Sequence, residues 1–203
     1  TARRQVGGVG TNTSALAIGG GALPATKLAS VESWNGSAWT EVGDLNTARE
    51  YMGTSGADNT SALAFGGSAP PSVAATELYN GTSWFTVNSL NTARSRISGD
   101  TGTATSALMF GGSAAPRQQT ESWNGANWTE TSDMNQGRQY HAGSAANNTA
   151  GLALGGVVSP ADYTALASSE EWNANIAVGT WVTGGNMNTG RTALAGAGTQ
   201  TAA

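Results

Sequence analysis

Hydrophobic residues along this chain come in short bursts of four or five, separated by stretches of Gly, Ser, Thr and Asn. The clearest bursts are Ala15 to Ile18 before Gly19-Gly20, Ala62 to Phe65 before Gly66-Gly67, and Ala107 to Phe110 before Gly111-Gly112. Leu152 to Leu154 before Gly155-Gly156 is a fourth. Near-continuous apolar runs of this length bounded by glycine predict strands buried on both faces. Behind each comes an aromatic pair around a turn: Trp34 and Trp39, Tyr79 and Trp84, Trp123 and Trp128, Trp172 and Trp181. The first three turns begin Asn-Gly, which predicts a tight type I′ hairpin with positive φ at both residues. No window carries helical spacing with caps. The pattern predicts an all-β chain.

The bursts belong to a longer period, and internal repetition decides the fold before any single motif does. Thr-Ala-Arg stands at Thr1–Arg3, Thr47–Arg49 and Thr92–Arg94, with looser versions ending in Arg138 and Arg191. The arginines Arg3, Arg49, Arg94, Arg138 and Arg191 are spaced by 46, 45, 44 and 53 residues. Glutamates recur ahead of the aromatic turns at Glu32, Glu77, Glu121 and Glu171, and the turns close on Trp39, Trp84, Trp128 and Trp181. Each unit ends in Leu or Met plus Asn: Leu45-Asn46, Leu90-Asn91, Met134-Asn135, Met187-Asn188. The chain therefore divides into repeats 1–46, 47–91, 92–135 and 136–188, each read as four short antiparallel strands, with the first strand of a fifth over 189–203.

Arginine, an apolar run into Gly-Gly, Tyr or Trp, and a closing Trp at a period near 45 resemble the kelch repeat across essentially all of the 203 residues. The resemblance implies one domain of four-stranded blades packed radially as a β-propeller. The units depart from the kelch pattern in their Ala, Thr and Asn runs and in the distorted fourth repeat. In style they resemble the Gly/Asn/Thr-rich units of phage and bacterial surface proteins. The tail duplicates residues 1–10 and does not complete them. Three arrangements follow: a segment of a longer propeller, a small ring with a spare strand, or an open stack that extends into or pairs with neighbouring chains.

Composition narrows the function. Only 11% of residues are charged, against ~25% in an ordinary soluble domain, while Gly numbers 29 and Trp 7. A net charge of -4 argues against nucleic acid and anionic membrane as partners. Cysteine is absent, no apolar run reaches the ~18 residues of a membrane span, and no signal peptide is visible. His141 is the single histidine. With no nucleophile elbow, no calcium loop, one histidine and no cysteine, the chain reads as non-enzymatic, without metal or cofactor. Kelch-type oxidases hold copper with two histidines, tyrosines and a cysteine cross-link, which this chain cannot supply.

In so uncharged a chain, charges that recur in register need fixed partners. The landmark arginines are expected to bond glutamates or backbone, with a ring of arginines around the channel as the sharper alternative. The tryptophans are expected to be wedges between units, with exposed stacking platforms for sugars as the alternative. Function is placed where the repeats differ. The connections between glycine pair and aromatic strand vary in length and hold all five prolines. They carry the candidate binding residues Lys27, Arg117, Gln118, Gln119, Asp162 and Tyr163. Asn-x-Ser/Thr sequons at Asn12, Asn35, Asn59, Asn80, Asn127 and Asn147 would carry glycans only in a secretory host. The reading that follows is a structural or adhesive protein of a virion or cell surface, extracellular, binding a surface glycan or a protein. An intracellular kelch scaffold for a protein partner is the alternative.

Overall fold

The computed structural model describes all residues except Thr1, 98–100, Pro160, Asp162, 176–178, Ala195 and 197–203. Its described residues form strands, turns and bridges with no helix. None could therefore supply a helix long and apolar enough to cross a membrane. The first unit contributes β1 (Gly7–Gly10) and β2 (Ala15–Ile18), a small hairpin of β3 (Gly21–Ala22) and β4 (Thr26–Lys27), then β5 (Val31–Trp34) and β6 (Trp39–Val42). The second contributes β7 (Gly53–Asp58), β8 (Ser61–Phe65), β9 (Thr76–Tyr79) and β10 (Trp84–Val87). The third contributes β11 (Gly102–Thr103), β12 (Ser106–Phe110), β13 (Thr120–Trp123) and β14 (Trp128–Thr131). The fourth contributes β15 (Ala142–Asn147), β16 (Ala150–Leu154), β17 (Ser169–Asn173) and β18 (Thr180–Thr183). Each unit is one four-stranded sheet in which neighbours in sequence are antiparallel neighbours in space. The partial fifth strand expected over 189–203 falls largely outside the described residues.

The apolar runs form the second strand of each sheet, and Ala62 to Phe65 and Ala107 to Phe110 are fully enclosed. Alternation sends Leu63 and Phe65 to one face and Ala62 and Ala64 to the other, so the second sheet feeds two cores, as the third does through Ala107 and Met109 on one face and Leu108 and Phe110 on the other. Between the first and second sheets lie Ile18, Val31, Leu45, Tyr79 and Trp84. Between the second and third lie Phe65, Leu90, Ile97, Met109 and Trp128, and between the third and fourth Phe110, Met134, Ala153 and Trp181. The small residues that share these layers let the sheets approach closely. The first strands also meet in chain order, β1 on β7, β7 on β11 and β11 on β15.

Six of the seven tryptophans are buried or half-buried in or beside these layers. Trp128 packs at a tilt against Phe65 of the preceding sheet at 4.9 Å, and Trp181 meets Phe110 edge-on at 5.0 Å. Their indole N–H groups donate to Thr76 and Thr120 at 3.0 Å. Trp84 is as buried, but its N–H finds no partner among the described residues; the first sheet carries Val31 at that register, without a hydroxyl. Trp39 departs from the expected wedge: it is 50% exposed, because the described residues include no sheet on that face.

The hairpins differ from the expected type I′ turn. Trp34 pairs with Trp39 and Trp123 with Trp128, so each loop holds four residues, not two. Only the glycines Gly36, Gly81 and Gly125 have positive φ, each 93°. The asparagine side chain caps the loop instead: Asn80 Oδ1 accepts from the amides of Thr82 and Ser83 at 3.1 and 3.0 Å. An Asx turn closes the loop without forcing asparagine into the left-handed region.

Candidate functional site

The landmark arginines bolt one sheet to the next. Arg49 N donates to Leu28 O, and Arg49 O accepts from Gly20 N, both in the first unit. Its guanidinium crosses into the second unit, donating to Ala75 O at 2.8 Å and pairing with Glu77 at 2.9 Å. Glycine is needed beside it: a Cβ on Gly66 would stand 2.7 Å from the Arg94 carbonyl of the next such joint. Arg3 pairs with Glu32 at 2.6 Å, and Arg138 with Glu170 at 2.7 Å while donating to Gly155 O and Ser168 O. Arg94 donates to Gly111 O at 2.8 Å and to Gln119 Oε1, with the Glu121 charge nearby. Burial pushes the Arg49 and Arg94 guanidiniums below their usual value, and the neighbouring carboxylates oppose it. The second carboxylate oxygen is held by the preceding unit's terminal asparagine: Asn46 N, Asn91 N and Asn135 N donate to Glu77, Glu121 and Glu170 at 2.6, 2.8 and 2.6 Å.

Two landmarks are corrected by this geometry. The fourth glutamate in register is Glu170, not Glu171. Glu170 pairs across β16 with Ala153 as Glu77 pairs with Ala64, and it is 2% exposed. Glu171 points to the opposite, exposed face. Arg191 keeps the backbone bonds of its class, to Leu166 O and from Gly156 N. Its side chain is exposed, since the described residues include no following sheet to receive it.

The candidate binding residues are mostly drawn into these joints. Lys27 pairs with Glu50 at 2.5 Å. Gln118 donates to Asn135 O at 3.2 Å, and Gln119 occupies the register of Ala75 and Ser168 as acceptor for Arg94. Arg117 has φ +64°, is half-buried, and receives Arg138 N on its carbonyl. Asp162 lies outside the described residues. Tyr163 is 57% exposed and lies near Tyr140.

Tyr140 belongs to a cluster that the sequence analysis did not single out. Two residues after each landmark arginine stand Gln5, Tyr51, Arg96, Tyr140 and Ala193, with φ of 52°, 56°, 59°, 53° and 54°. A left-handed non-glycine residue costs ~1–3 kcal/mol and is kept where the surroundings impose it. Here Tyr51, Arg96, Tyr140 and Ala193 each donate the backbone N–H to the carbonyl of the counterpart in the preceding unit, at 3.3, 2.9, 3.3 and 2.7 Å. The ladder puts their side chains on one rim. Gln5 Nε2 donates to Tyr51 OH at 2.5 Å, Tyr51 meets Tyr140 edge-on at 5.8 Å, and Arg96 lies over the Tyr140 ring at 5.1 Å. Burial pushes the Tyr140 phenol above its usual value, against the pull of Arg96.

These side chains, with Met52, Ile97, His141 and Leu194, line a recess of about 590 Å³, within the range of small-ligand sites. Two aromatic faces, a guanidinium and an amide around such a space suit a polar, stackable ligand. The sequence signal was a chemically versatile residue at a fixed offset of two from the arginine. His141 is buried, its ring 5.3 Å from Phe110 and near that residue's backbone, and among the described residues neither nitrogen has a partner at full hydrogen-bond geometry. Burial and the nearby Arg138 charge push its pKa down to about 3, so the ring is neutral. No family model matches this chain, and no curated protein matches it.

Proposed function

We propose that the four sheets are the blades of a kelch-like β-propeller, and that the protein is a non-enzymatic adhesive module of a virion or cell surface. Its ligand is a glycan, held at the rim of the recess. The observation that carries this reading is the Tyr51–Arg96–Tyr140 cluster, set on a strained backbone ladder above a cavity of ligand size. Tyrosine faces stack on the apolar faces of sugar rings, while Arg96 and Gln5 supply donors for ring hydroxyls or a carboxylate. Supporting a binding role over catalysis, the histidine beneath the rim is neutral and bonds no carboxylate or hydroxyl.

The test is a glycan array probed with the full chain, followed by calorimetry on the glycans retained. Arg96→Ala and Tyr140→Ala should each weaken binding about tenfold or more, the scale of one lost aromatic or charged contact. A chain that retains no glycan, or binding indifferent to both changes, rules the reading out.

A further inference from the structure

The backbone ladder of the rim needs no particular side chain. Gln5, Tyr51, Arg96, Tyr140 and Ala193 share the left-handed angle and bond one another through N–H and C=O groups alone. The side chains standing on the ladder are therefore not dictated by the fold, and one of them is a cation. Among the described residues, Arg96 is the one charged side chain lining the recess, and no Asp or Glu lines it. Tyr51, Arg96 and Tyr140 each have a ladder neighbour on both sides, so their setting does not come from either end of the chain.

The landmark arginines of the joints are held differently. Arg3, Arg49 and Arg138 meet a glutamate at 2.6, 2.9 and 2.7 Å, and Arg94 lies near Glu121. The Arg96 guanidinium meets only neutral groups among the described residues. It donates from Nη1 to Gln139 Oε1 at 3.3 Å and lies 5.1 Å over the Tyr140 ring. Gln139 is itself fully buried, so this contact anchors the guanidinium from within the fold. The Nη2 and Nε sides of the fork are left uncommitted. The Arg96 charge draws the Tyr140 phenol down against the effect of burial, so its field is felt in the recess. A half-buried cation among neutral groups favours an anion more than an exposed one does, because less water screens it. Its planar fork suits a carboxylate, which accepts two parallel N–H bonds.

We propose, on the basis of the glycan reading, that the recess selects sugars carrying a carboxylate, such as uronic acids, and that Arg96 is the residue that selects them. Arg96 covers one face of Tyr140, so the sugar ring takes the half-buried tyrosine surface beside it, on Tyr51. Gln5, which donates to the Tyr51 hydroxyl, holds that ring in place.

The test is an array of carboxylated glycans, each paired with its carboxyl-reduced form, probed with the full chain and followed by calorimetry on the pairs retained. The acid should bind about tenfold or more tightly than its reduced partner, the scale of one charge-assisted contact. Arg96→Gln should bring the acid down to the affinity of the reduced sugar. Arg96→Lys keeps the charge without the fork and should restore only part of the difference. Arg191→Gln removes an exposed cation that does not line the recess, and should leave both affinities unchanged. Urea midpoints equal to wild type separate lost recognition from lost folding, and the acid-to-reduced ratio of the wild-type chain stands whatever the variants do. Equal affinity within the pairs, an acid preference that survives Arg96→Gln, or retention of sulfated glycans in place of carboxylated ones overturns the proposal and leaves the glycan reading intact. A chain that retains no glycan of any kind removes both.

Discussion

Arg49 and Glu77 meet at 2.9 Å with 0% and 2% of their side chains exposed, although the Arg49 backbone is bonded to the sheet before. Burying such a pair is costly, and breaking it is costlier, since the surviving charge is left without a partner. Arg49→Met should therefore cost about 3–5 kcal/mol. Arg191→Met, at the same repeat position but exposed, should change stability by less than about 0.5 kcal/mol. Urea unfolding of both variants checks the contrast, and equal losses would show that the joint is not what holds the arginine.

The two adjacent glutamates of the fourth unit separate in the same way. Glu170→Gln removes the partner of Arg138 and the acceptor for Asn135 N. It should lower the urea midpoint by the equivalent of about 3 kcal/mol or more. Glu171→Gln, on the exposed face, should stay within about 0.5 kcal/mol of wild type. The reverse order would restore Glu171 as the landmark.

His141 makes stability depend on pH. Its folded pKa lies near 3, against 6.5 for the free group, so the unfolded chain binds the extra proton between those values. The contribution of the neutral ring is fully present above pH 6.5 and is lost as the pH falls toward 3. Between those limits the unfolding equilibrium should move about tenfold per pH unit toward the unfolded state. Met52 and Ile97 hold this position in the second and third units. His141→Met should flatten that part of the profile, leaving only what the carboxylates contribute, and should stabilise the protein at pH 5. Thermal melts between pH 4 and pH 8 at constant ionic strength would show it.

At the hairpins, Asn124 Oδ1 accepts from the amides of Ala126 and Asn127 at 3.0 and 2.9 Å. Asn124→Ala leaves both without that acceptor in an exposed loop, where water replaces it in part. The cost should be about 1 kcal/mol. Asn124→Asp keeps the acceptor and should recover most of it. Parallel melts of the two variants decide the matter.

Much of this architecture was legible because the repeat is written in residues whose roles are local. Gly-Gly after an apolar run and paired aromatics around Asn-Gly each fix one strand end, and all four sheets follow. The turn type was misread because Asn-Gly is also compatible with an Asx-capped four-residue loop, which only the pairing of Trp34 with Trp39 distinguishes. Gln119 looked like a free loop side chain. Its role as acceptor for Arg94 depends on a residue 25 positions away. The rim was hidden for a different reason: its constant property is a backbone angle. Gln5, Tyr51, Arg96, Tyr140 and Ala193 share φ and hydrogen bonding but no side-chain type. The exposure of Trp39 was invisible because the residue matches its buried counterparts and only its neighbour differs.

The placement of Arg49, Arg94 and Arg138, backbone in one unit and charge in the next, bears on how the chain comes apart. A sheet that peeled away alone would take its glutamate with it and strand a guanidinium anchored to its neighbour. Partial melting is thereby penalised at every joint, and the cost is passed along the array. The four units are thus coupled into one cooperative transition, where a string of similar sheets held only by apolar contact would fray from its ends.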